Sequence, residues 1–333
     1  MLNVPEKIRV SVGTAACLDL IDMKMDALPS TAYLMLYSKN KCIANCAFCA
    51  QARESNADIS QLSRIKWPVF EINEVFDKIK NLEKRSSIKR ICIQVLNYPN
   101  FFNDLYYVIK KLKEITDLPI SISCQPMKKE NLEKLQTLGI DRVGIPFDTA
   151  TPELFYYIKG KGNKGPYKWE KHFEYLNNAI KILGPKRVTT HLIVGLGETE
   201  KEAVEFIQKF KNLGINSGLF AFTPLKGTKL ENRKRPSIPT YRRIQLARYI
   251  IINKIGNFSN MKFNDKGQII DFGIDNNRLN EIIKTGIPFQ TSGCPNCNRP
   301  FYNERPGRKL YNYPKKLTQS QIEEVIKDLR VYS

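Results

Sequence analysis

Three cysteines crowd one loop, Lys41-Cys42-Ile43-Ala44-Asn45-Cys46-Ala47-Phe48-Cys49-Ala50, separated by three and then two residues. If they hold a cubane iron-sulfur cluster, three thiolates leave one of its four irons open to an outside ligand, and an open iron is a place for chemistry. A zinc knuckle borrowing a fourth ligand, or three packed core cysteines, are the alternatives, although zinc more often uses paired Cys-x-x-Cys units. One such pair lies near the C-terminus, in Ser292-Gly293-Cys294-Pro295-Asn296-Cys297-Asn298-Arg299, a compact two-thiolate clamp without the second half of a zinc ribbon. Cys17, Cys92 and Cys124 complete the set of eight cysteines. His172, in a charged stretch, reads as a surface residue, and His191 as one that faces a barrel interior or packs in it. No Ser-His-Asp arrangement or carboxylate pair suggests hydrolysis.

The elements around these residues alternate. Ala32 to Tyr37 reads as a buried strand that ends at the cysteine loop, and in α/β folds that C-terminal end is the functional edge. A polar, irregular stretch follows from Arg53 to Pro68. Val69 to Leu82 then carries apolar residues at helical spacing, and Lys89 to Val95 is a short β-branched strand. Helix (Phe102 to Ile115), strand (Ile120 to Gln125), helix (Glu130 to Leu138), strand (Arg142 to Phe147), helix (Trp169 to Leu183), strand (Arg187 to Val194), helix (Glu200 to Leu213) and strand (Ser217 to Thr223) continue the series. A helix from Tyr241 to Ile255 follows a polar loop. Met261-Lys262-Phe263 and Gln268-Ile269-Ile270 read as short closing strands, and Ser320 to Arg330 as a terminal helix. Right-handed βα repetition allows an open doubly wound sheet or a closed barrel. The expected division is an N-terminal segment (1–30), a barrel (31–275) and a C-terminal region carrying Cys294 and Cys297 (276–333).

Two strand ends carry further candidates. Gly195 and Gly197, in Ile193-Val194-Gly195-Leu196-Gly197-Glu198-Thr199, would let backbone amides approach a ligand, and a helix N-terminus favours a negative group; an ordinary structural turn is the alternative. Asp148 could accept hydrogen bonds from ribose hydroxyls or act as an N-cap before Thr151-Pro152-Glu153.

The 333-residue chain has 53 Lys and Arg against 33 Asp and Glu, a net charge of +20. Such a surface favours an acidic partner, of which nucleic acid is the commonest and an acidic protein another. A metal-stabilised nucleic-acid-binding protein is therefore a competing reading, though the aromatic and basic interleaving of a strand-binding sheet is missing. No signal peptide or membrane span is evident, so a cytoplasmic protein without a membrane partner is expected, and its cysteines point to metal or redox roles rather than disulfides.

The cysteine spacing, with Phe48 directly before Cys49, resembles the signature of the radical S-adenosylmethionine superfamily. The resemblance implies a partial or complete (β/α) TIM-type barrel with a C-terminal extension. It implies that Cys42, Cys46 and Cys49 hold a 4Fe-4S cluster whose free iron chelates S-adenosylmethionine, which on reduction yields a 5′-deoxyadenosyl radical. The segment Gly195-Leu196-Gly197-Glu198 resembles the one that lies against the adenine in this superfamily, and Asp148 in Asp148-Thr149-x-x-Pro152-Glu153 is similar to the active-centre aspartate of biotin synthase. Phe48, Asp148, Gly195, Gly197 and Glu198 are thereby implied as cofactor-binding.

From Cys42 to about Thr199 the order of motifs resembles the biotin-synthase branch, including Cys92 and Cys124, whose equivalents help hold an auxiliary cluster inside the barrel. The pattern then departs: a third cysteine would fall at Thr189, and no arginine stands in Met261-Lys262-Phe263. Cys294 and Cys297 are the expected replacements, completed by Cys92 and Cys124 or by Cys17. Thr31-Ala32-Tyr33-Leu34, Cys49 to Ser55 and Asn298 to Glu304 together resemble a biotin-synthase-like group whose members work in pairs as a lipoyl synthase. That resemblance implies sulfur insertion into an octanoyl chain on a lysine of an acidic lipoyl-carrier protein, a paralogous radical S-adenosylmethionine subunit, and a reductant such as ferredoxin or flavodoxin. Biotin synthesis from dethiobiotin is the nearest alternative. Arg299, Arg305 and Arg308 could contact substrate or carrier.

Overall fold

The structure, a computed structural model, describes residues 4–82 and 86–330. Its first elements are β1 (Lys7–Val10), α1 (Val12–Cys17) and β2 (Ala32–Leu36). A hairpin of β3 (Gln61–Leu62) and β4 (Ile65–Lys66) lies inside the stretch expected to be irregular, and β5 (Val69–Glu71) precedes α2 (Ile72–Lys80). Alternation follows: β6 (Ile91–Gln94), α3 (Phe101–Ile115), β7 (Ile120–Ser123), α4 (Lys129–Thr137), β8 (Arg142–Gly144), α5 (Pro152–Ile158), α6 (Trp169–Leu183), β9 (Val188–Val194), α7 (Glu200–Asn212), β10 (Asn216–Ala221) and α8 (Ile238–Ile252). The hairpin β11 (Lys262–Phe263) and β12 (Ile269–Asp271), then α9 (Asn276–Lys284) and α10 (Gln319–Arg330), complete the described elements.

Six strands run parallel in the order β10-β9-β8-β7-β6-β2, and β1 and β5 extend the sheet antiparallel beyond β2. The fold is thus a partial (β/α) barrel. Two expectations change. The helix expected from Val69 begins at Ile72, because Val69 to Glu71 extend along the otherwise free edge of β1, with Arg9 opposite Val69. The segments at Lys262 and Ile269 do not close the barrel; they pair with each other as a separate hairpin. The N-terminal stretch contributes β1 to the main sheet, burying Ile8 and Val10, a strand that four residues of mixed polarity conceal.

Period-two alternation sends one set of side chains toward the helices and the other toward the lumen. Ile91 and Ile93 of β6 and Ile120 and Ile122 of β7 join the outer core with the helix faces. In that core Phe147 meets Trp169, Phe173 and Phe210 edge-on, with ring centroids 4.8 to 4.9 Å apart, the geometry aromatic quadrupoles favour. Side chains from β2 and β10, the two ends of the parallel set, line one small lumen cavity, so the sheet curls.

The C-terminal segment spans the gap that the curl leaves. On the β10 side Ser292 Oγ accepts from Leu219 N (2.8 Å), while Arg299 donates to Leu219 O (3.2 Å) and Asn303 to Ala221 O (2.9 Å). On the other side Ser30 and Thr31 hydroxyls donate to Asn296 O (2.7 Å each), Ser63 donates to Tyr302 O (2.9 Å) and Arg64 to Phe301 O (2.8 Å). Side-chain and backbone bonds here take the place of a strand ladder, satisfying edge groups that burial would otherwise penalise. Phe147→Ala is expected to cost about 3–5 kcal/mol, read as a lower urea midpoint with unchanged slope in the metal-free protein.

Candidate active site

The cysteine loop has no regular secondary structure, yet its backbone is held at many points. Lys41 Nζ donates to Ala57 O (2.9 Å), Ala50 O (3.2 Å) and Ser55 O; Gln51 Nε2 donates to Ile59 O (2.7 Å) and Gln61 O (2.6 Å). Asn45 and Asn163 exchange side-chain bonds to each other's carbonyl, and Ala47 N donates to Ile158 O (2.9 Å). These polar side chains hold the loop in place of regular secondary structure, and only the cysteine spacing, not they, stood out in the sequence. Cys42, Cys46, Cys49 and Phe48 line a cavity of about 210 Å³ at the C-terminal ends of the strands, with Gln94, Asp148, His191 and Phe220. Asn97 N donates to Cys42 Sγ (3.3 Å). Burial pushes the Cys49 thiol up to about 12 and Cys46 higher, Lys159 partly opposing the shift at Cys46. Three soft thiols around one cavity, each free to meet a different iron, fit a 4Fe-4S cluster with one open corner. Among the described residues no three His, Cys, Asp or Glu side chains converge as a single-ion site requires.

Asp148 is in the left-handed region (φ +67°), bridged to Leu192, and its side chain faces this cavity. The N-cap of α5 is Thr151, which accepts from Leu154 N, so the capping role considered for Asp148 belongs to its neighbour. Asp148 instead accepts from Lys159 Nζ (2.7 Å), a fully buried lysine that also donates to Pro146 O (2.5 Å). Nothing in the sequence around Lys159 marks it. His172 is likewise not a surface residue: it is fully buried on α6 with Nε2 3.0 Å from Gln125 Oε1, and burial pushes its imidazole down to about 2. Gln125 in turn lines the mouth cavity.

The glycine turn differs from expectation. Gly195 (φ +106°) and Gly197 (φ +130°) need glycine, and a Cβ there would strike Pro236 at 2.8 Å and Arg233 or Leu154 at 3.0 Å. Their freedom admits the 231–236 loop of this chain, because Glu198 has filled the amide pocket. Its carboxylate accepts from Gly195 N (2.5 Å) and Leu196 N (3.0 Å); burial pushes its carboxyl up and these bonds pull it down. Gly195, Gly197 and Glu198 stand behind the cavity wall rather than in it, and Leu196 packs with Ala47, Phe222 and Ile158 against the cysteine loop.

Below the mouth, a lumen cavity of about 110 Å³ is lined by Cys92, Cys294 and Cys297, with Thr189, Ser121 and Arg299. Cys297 Sγ lies 3.5 Å from Tyr33 Oη and accepts from Arg299 Nη1 (3.4 Å), whose guanidinium stacks 3.9 Å from the Phe220 ring centroid. Gln94 Nε2 reaches Cys92 Sγ at 3.2 Å. Burial raises the Cys92 and Cys294 thiols. The other two expected auxiliary ligands are elsewhere. Cys124 sits in the outer core with its thiol 3.9 Å from Tyr175 Oη, and Cys17 lies 4.0 Å from Ser87 Oγ. Alternation along Ile120-Ser121-Ile122-Ser123-Cys124 puts the serines in the lumen and Cys124 outside; that pattern was the available signal. Gln94, Ser123, His191 and Phe220 line both cavities.

A family model described as the Radical SAM superfamily matches residues 36–210. The chain belongs to that superfamily. Among curated proteins, this radical SAM chain is 26% identical over 220 residues to the biotin synthase of Clostridium acetobutylicum, covering 64% of this chain and 63% of that one. It is 25% identical over 208 residues to the biotin synthase of Persephonella marina, covering 60% and 57%. The chain therefore spans less than two thirds of the length of either relative. These similarities place it on the biotin-synthase-like branch of the radical SAM superfamily. Over 193 residues it is also 25% identical to the 7,8-didemethyl-8-hydroxy-5-deazariboflavin synthase of Methanocaldococcus jannaschii, covering 56% of this chain and 49% of that one. The FeFe-hydrogenase maturase HydG of Carboxydothermus hydrogenoformans has the same fold, with a TM-score of 0.53 at 19% identity over 68% of this chain and 52% of that one. The matched 36–210 span includes the cysteine loop, Asp148 and the glycine turn, and ends before Cys294 and Cys297. Membership of this enzyme superfamily implies a 4Fe-4S cluster and S-adenosylmethionine, and makes the chain an enzyme rather than a binding module. Among the described residues no helix is long and apolar enough to cross a membrane.

Replacing Cys42, Cys46 or Cys49 by Ala is expected to remove roughly four irons per reconstituted chain and to abolish S-adenosylmethionine cleavage. Cys124→Ala should leave the iron content at the wild-type value; iron assay and product chromatography check both.

Proposed function

We propose that this chain is a radical sulfur-insertion enzyme, one component of a lipoyl synthase acting on an octanoyl chain carried by a protein lysine. The observation that supports this reading is the shared wall between the two cavities. One holds Cys42, Cys46 and Cys49, the other Cys92, Cys294 and Cys297, and Gln94, Ser123, His191 and Phe220 face both. Three thiolates suit an auxiliary iron-sulfur cluster in the lumen as they do at the mouth. With both groups bound, the chemistry supplied is removal of hydrogen from an unactivated carbon and donation of sulfide to that carbon, steps outside the reach of a tuned side-chain acid or base.

The chain's own residues prepare the site for that chemistry. The mouth cavity is walled largely by apolar side chains, Phe48, Val95, Leu96, Ile193, Phe220 and Phe222 among them, which exclude water from reactive intermediates. Asp148, fixed by Lys159, presents a carboxylate suited to ribose hydroxyls or substrate donors. His191 is partly buried between the two cavities, and burial pushes its imidazole down to about 4, so at neutral pH it stands there without charge. Arg299 holds Cys297 from the lumen side, a positioning role in place of the carrier contact considered for it, while Arg305 and Arg308 are exposed. The net charge of +20, to which these exposed arginines contribute, would steer an acidic carrier protein, with affinity falling as salt rises. A paralogous subunit and a ferredoxin or flavodoxin as reductant complete the proposed system.

Biotin synthesis is the second reading, favoured by the names of the curated relatives. The experiment incubates reconstituted protein with reductant, S-adenosylmethionine and an octanoylated carrier peptide, with and without candidate paralogues, beside a parallel reaction on dethiobiotin. Mass gain corresponding to added sulfur on the peptide is expected; thiolation of dethiobiotin alone would move the assignment to biotin synthesis, and no thiolated product in any combination would sink both. Reconstituted wild type is expected to hold roughly eight irons, and Cys92→Ala or Cys294→Ala/Cys297→Ala about half as many, by iron and sulfide assay.

A further inference from the structure

Lys159 follows the last turn of α5 and no part of its side chain reaches solvent. An ammonium ion removed from water is costly unless it is paired and hydrogen-bonded. Here Asp148 and Pro146 O supply two acceptors, and the rings of Phe155 and Tyr167 lie 5.4 and 5.5 Å from Nζ. Lys159 does not line the mouth cavity; Pro146, Asp148 and Tyr167 stand between it and that space. It is nevertheless tied to the cysteine loop through its neighbour, since Ile158 O accepts from Ala47 N (2.9 Å).

The pair stands beside the thiols: Asp148 lines the mouth cavity with Cys42, Cys46 and Cys49, and Lys159 directly follows the carbonyl that holds Ala47, the residue after Cys46. A cation and an anion locked together in this place form a fixed dipole beside the loop. We propose that Lys159 makes the cluster held by Cys42, Cys46 and Cys49 easier to reduce, with Asp148 as the opposing charge that sets how much. This rests on the cluster that family membership implies and is independent of the sulfur-insertion reading. The step is a single-electron transfer: a low-potential one-electron donor such as a ferredoxin-type protein or dithionite is oxidised, the cluster gains one electron, and no bond forms or breaks. A fixed positive charge stabilises the added negative charge, the more so where the local dielectric is low. Lys159 is a tuning residue; it need not touch S-adenosylmethionine.

The test is a redox titration of reconstituted full-length protein without S-adenosylmethionine, followed by electron paramagnetic resonance, with iron content measured on each sample. In Lys159→Met the reduced-to-oxidised ratio at a fixed solution potential is expected to fall about tenfold, equivalent to ~59 mV for one electron. Asp148→Asn should shift it in the opposite direction, Lys159→Arg should stay near wild type, and Asp148→Asn/Lys159→Met should return toward wild type. If Lys159→Met alone does not fold, the comparison of the double variant with Asp148→Asn isolates the same charge without leaving a buried carboxylate unpaired. Shifts of the same sign in Lys159→Met and Asp148→Asn, or an unmoved potential on removing Lys159 from a cluster of unchanged iron content, would overturn the proposal. A wild type that takes up no iron would overturn it together with the cluster assignment, and the iron count separates that outcome from failure of the dipole alone.

Discussion

A six-stranded parallel sheet that curls without closing leaves β10 with an unpaired edge and a lumen open along one side. Buried edge groups must find partners, and here Ser292, Arg299 and Asn303 supply them to Leu219 and Ala221. The same short segment bonds back to Ser30 and Thr31 just before β2 and to Ser63 and Arg64 in the β3–β4 hairpin. Closure by side chains rather than by another strand has a chemical consequence. A strand would fill the seam with alternating side chains, whereas an irregular segment can turn two cysteines and an arginine into the lumen.

Backbone conformation shows how tightly that segment is shaped. Asn296, Arg299 and Phe301 all take positive φ, and Gly293 stands at φ +157°. Left-handed non-glycine residues cost free energy and persist where surrounding contacts fix them. Asn298 bonds to Ser30 N and Leu28 O, and Arg299 N donates to Tyr33 Oη, so the turn carrying Cys294 and Cys297 is pinned to the β2 side of the seam. Arg299 then couples closure to chemistry, since one guanidinium reaches Ser292 O, Leu219 O and Cys297 Sγ. Loss of the seam and loss of the lower thiol set are therefore one structural event.

The βα series was legible, the short α5 excepted, because its signals are local: apolar residues repeat at helical spacing in α2, α3, α6 and α7, and β-branched runs separate them. The cysteine loop was legible because its spacing is a chemical pattern. What escaped reading depends on contacts between distant parts of the chain. β1 is too short to declare itself and exists because β2 and β5 flank it. His172 looked exposed among Glu170, Lys171 and Glu174, but its face of α6 is the one that packs on Phe147 and Phe155. Cys124 illustrates the opposite case, since a motif resemblance pointed inward while strand alternation in the same residues pointed outward, and the alternation held. Cys92 satisfies both, and it is the strand cysteine that reaches the lumen thiols.

The glycine turn carries the same lesson about anions. A strand-to-helix turn with free amides is a general anion site, but this chain supplies its own anion in Glu198, leaving the turn neutralised and stiff. Its contribution to the site then runs through Leu196, which buttresses Ala47 and Phe222, and through Gly195 O, which accepts from Arg233 (3.0 Å) and anchors the 231–236 loop. A fully buried positive charge beside the cysteines comes instead from Lys159, placed by a helix end that hydrogen-bonds to the loop itself. An ammonium held between Asp148 and Pro146 O is fixed in place beside the thiols. In this fold fixed buried charge is therefore brought to the cysteine loop by an ion pair and its hydrogen bonds rather than by the turn that the sequence made conspicuous.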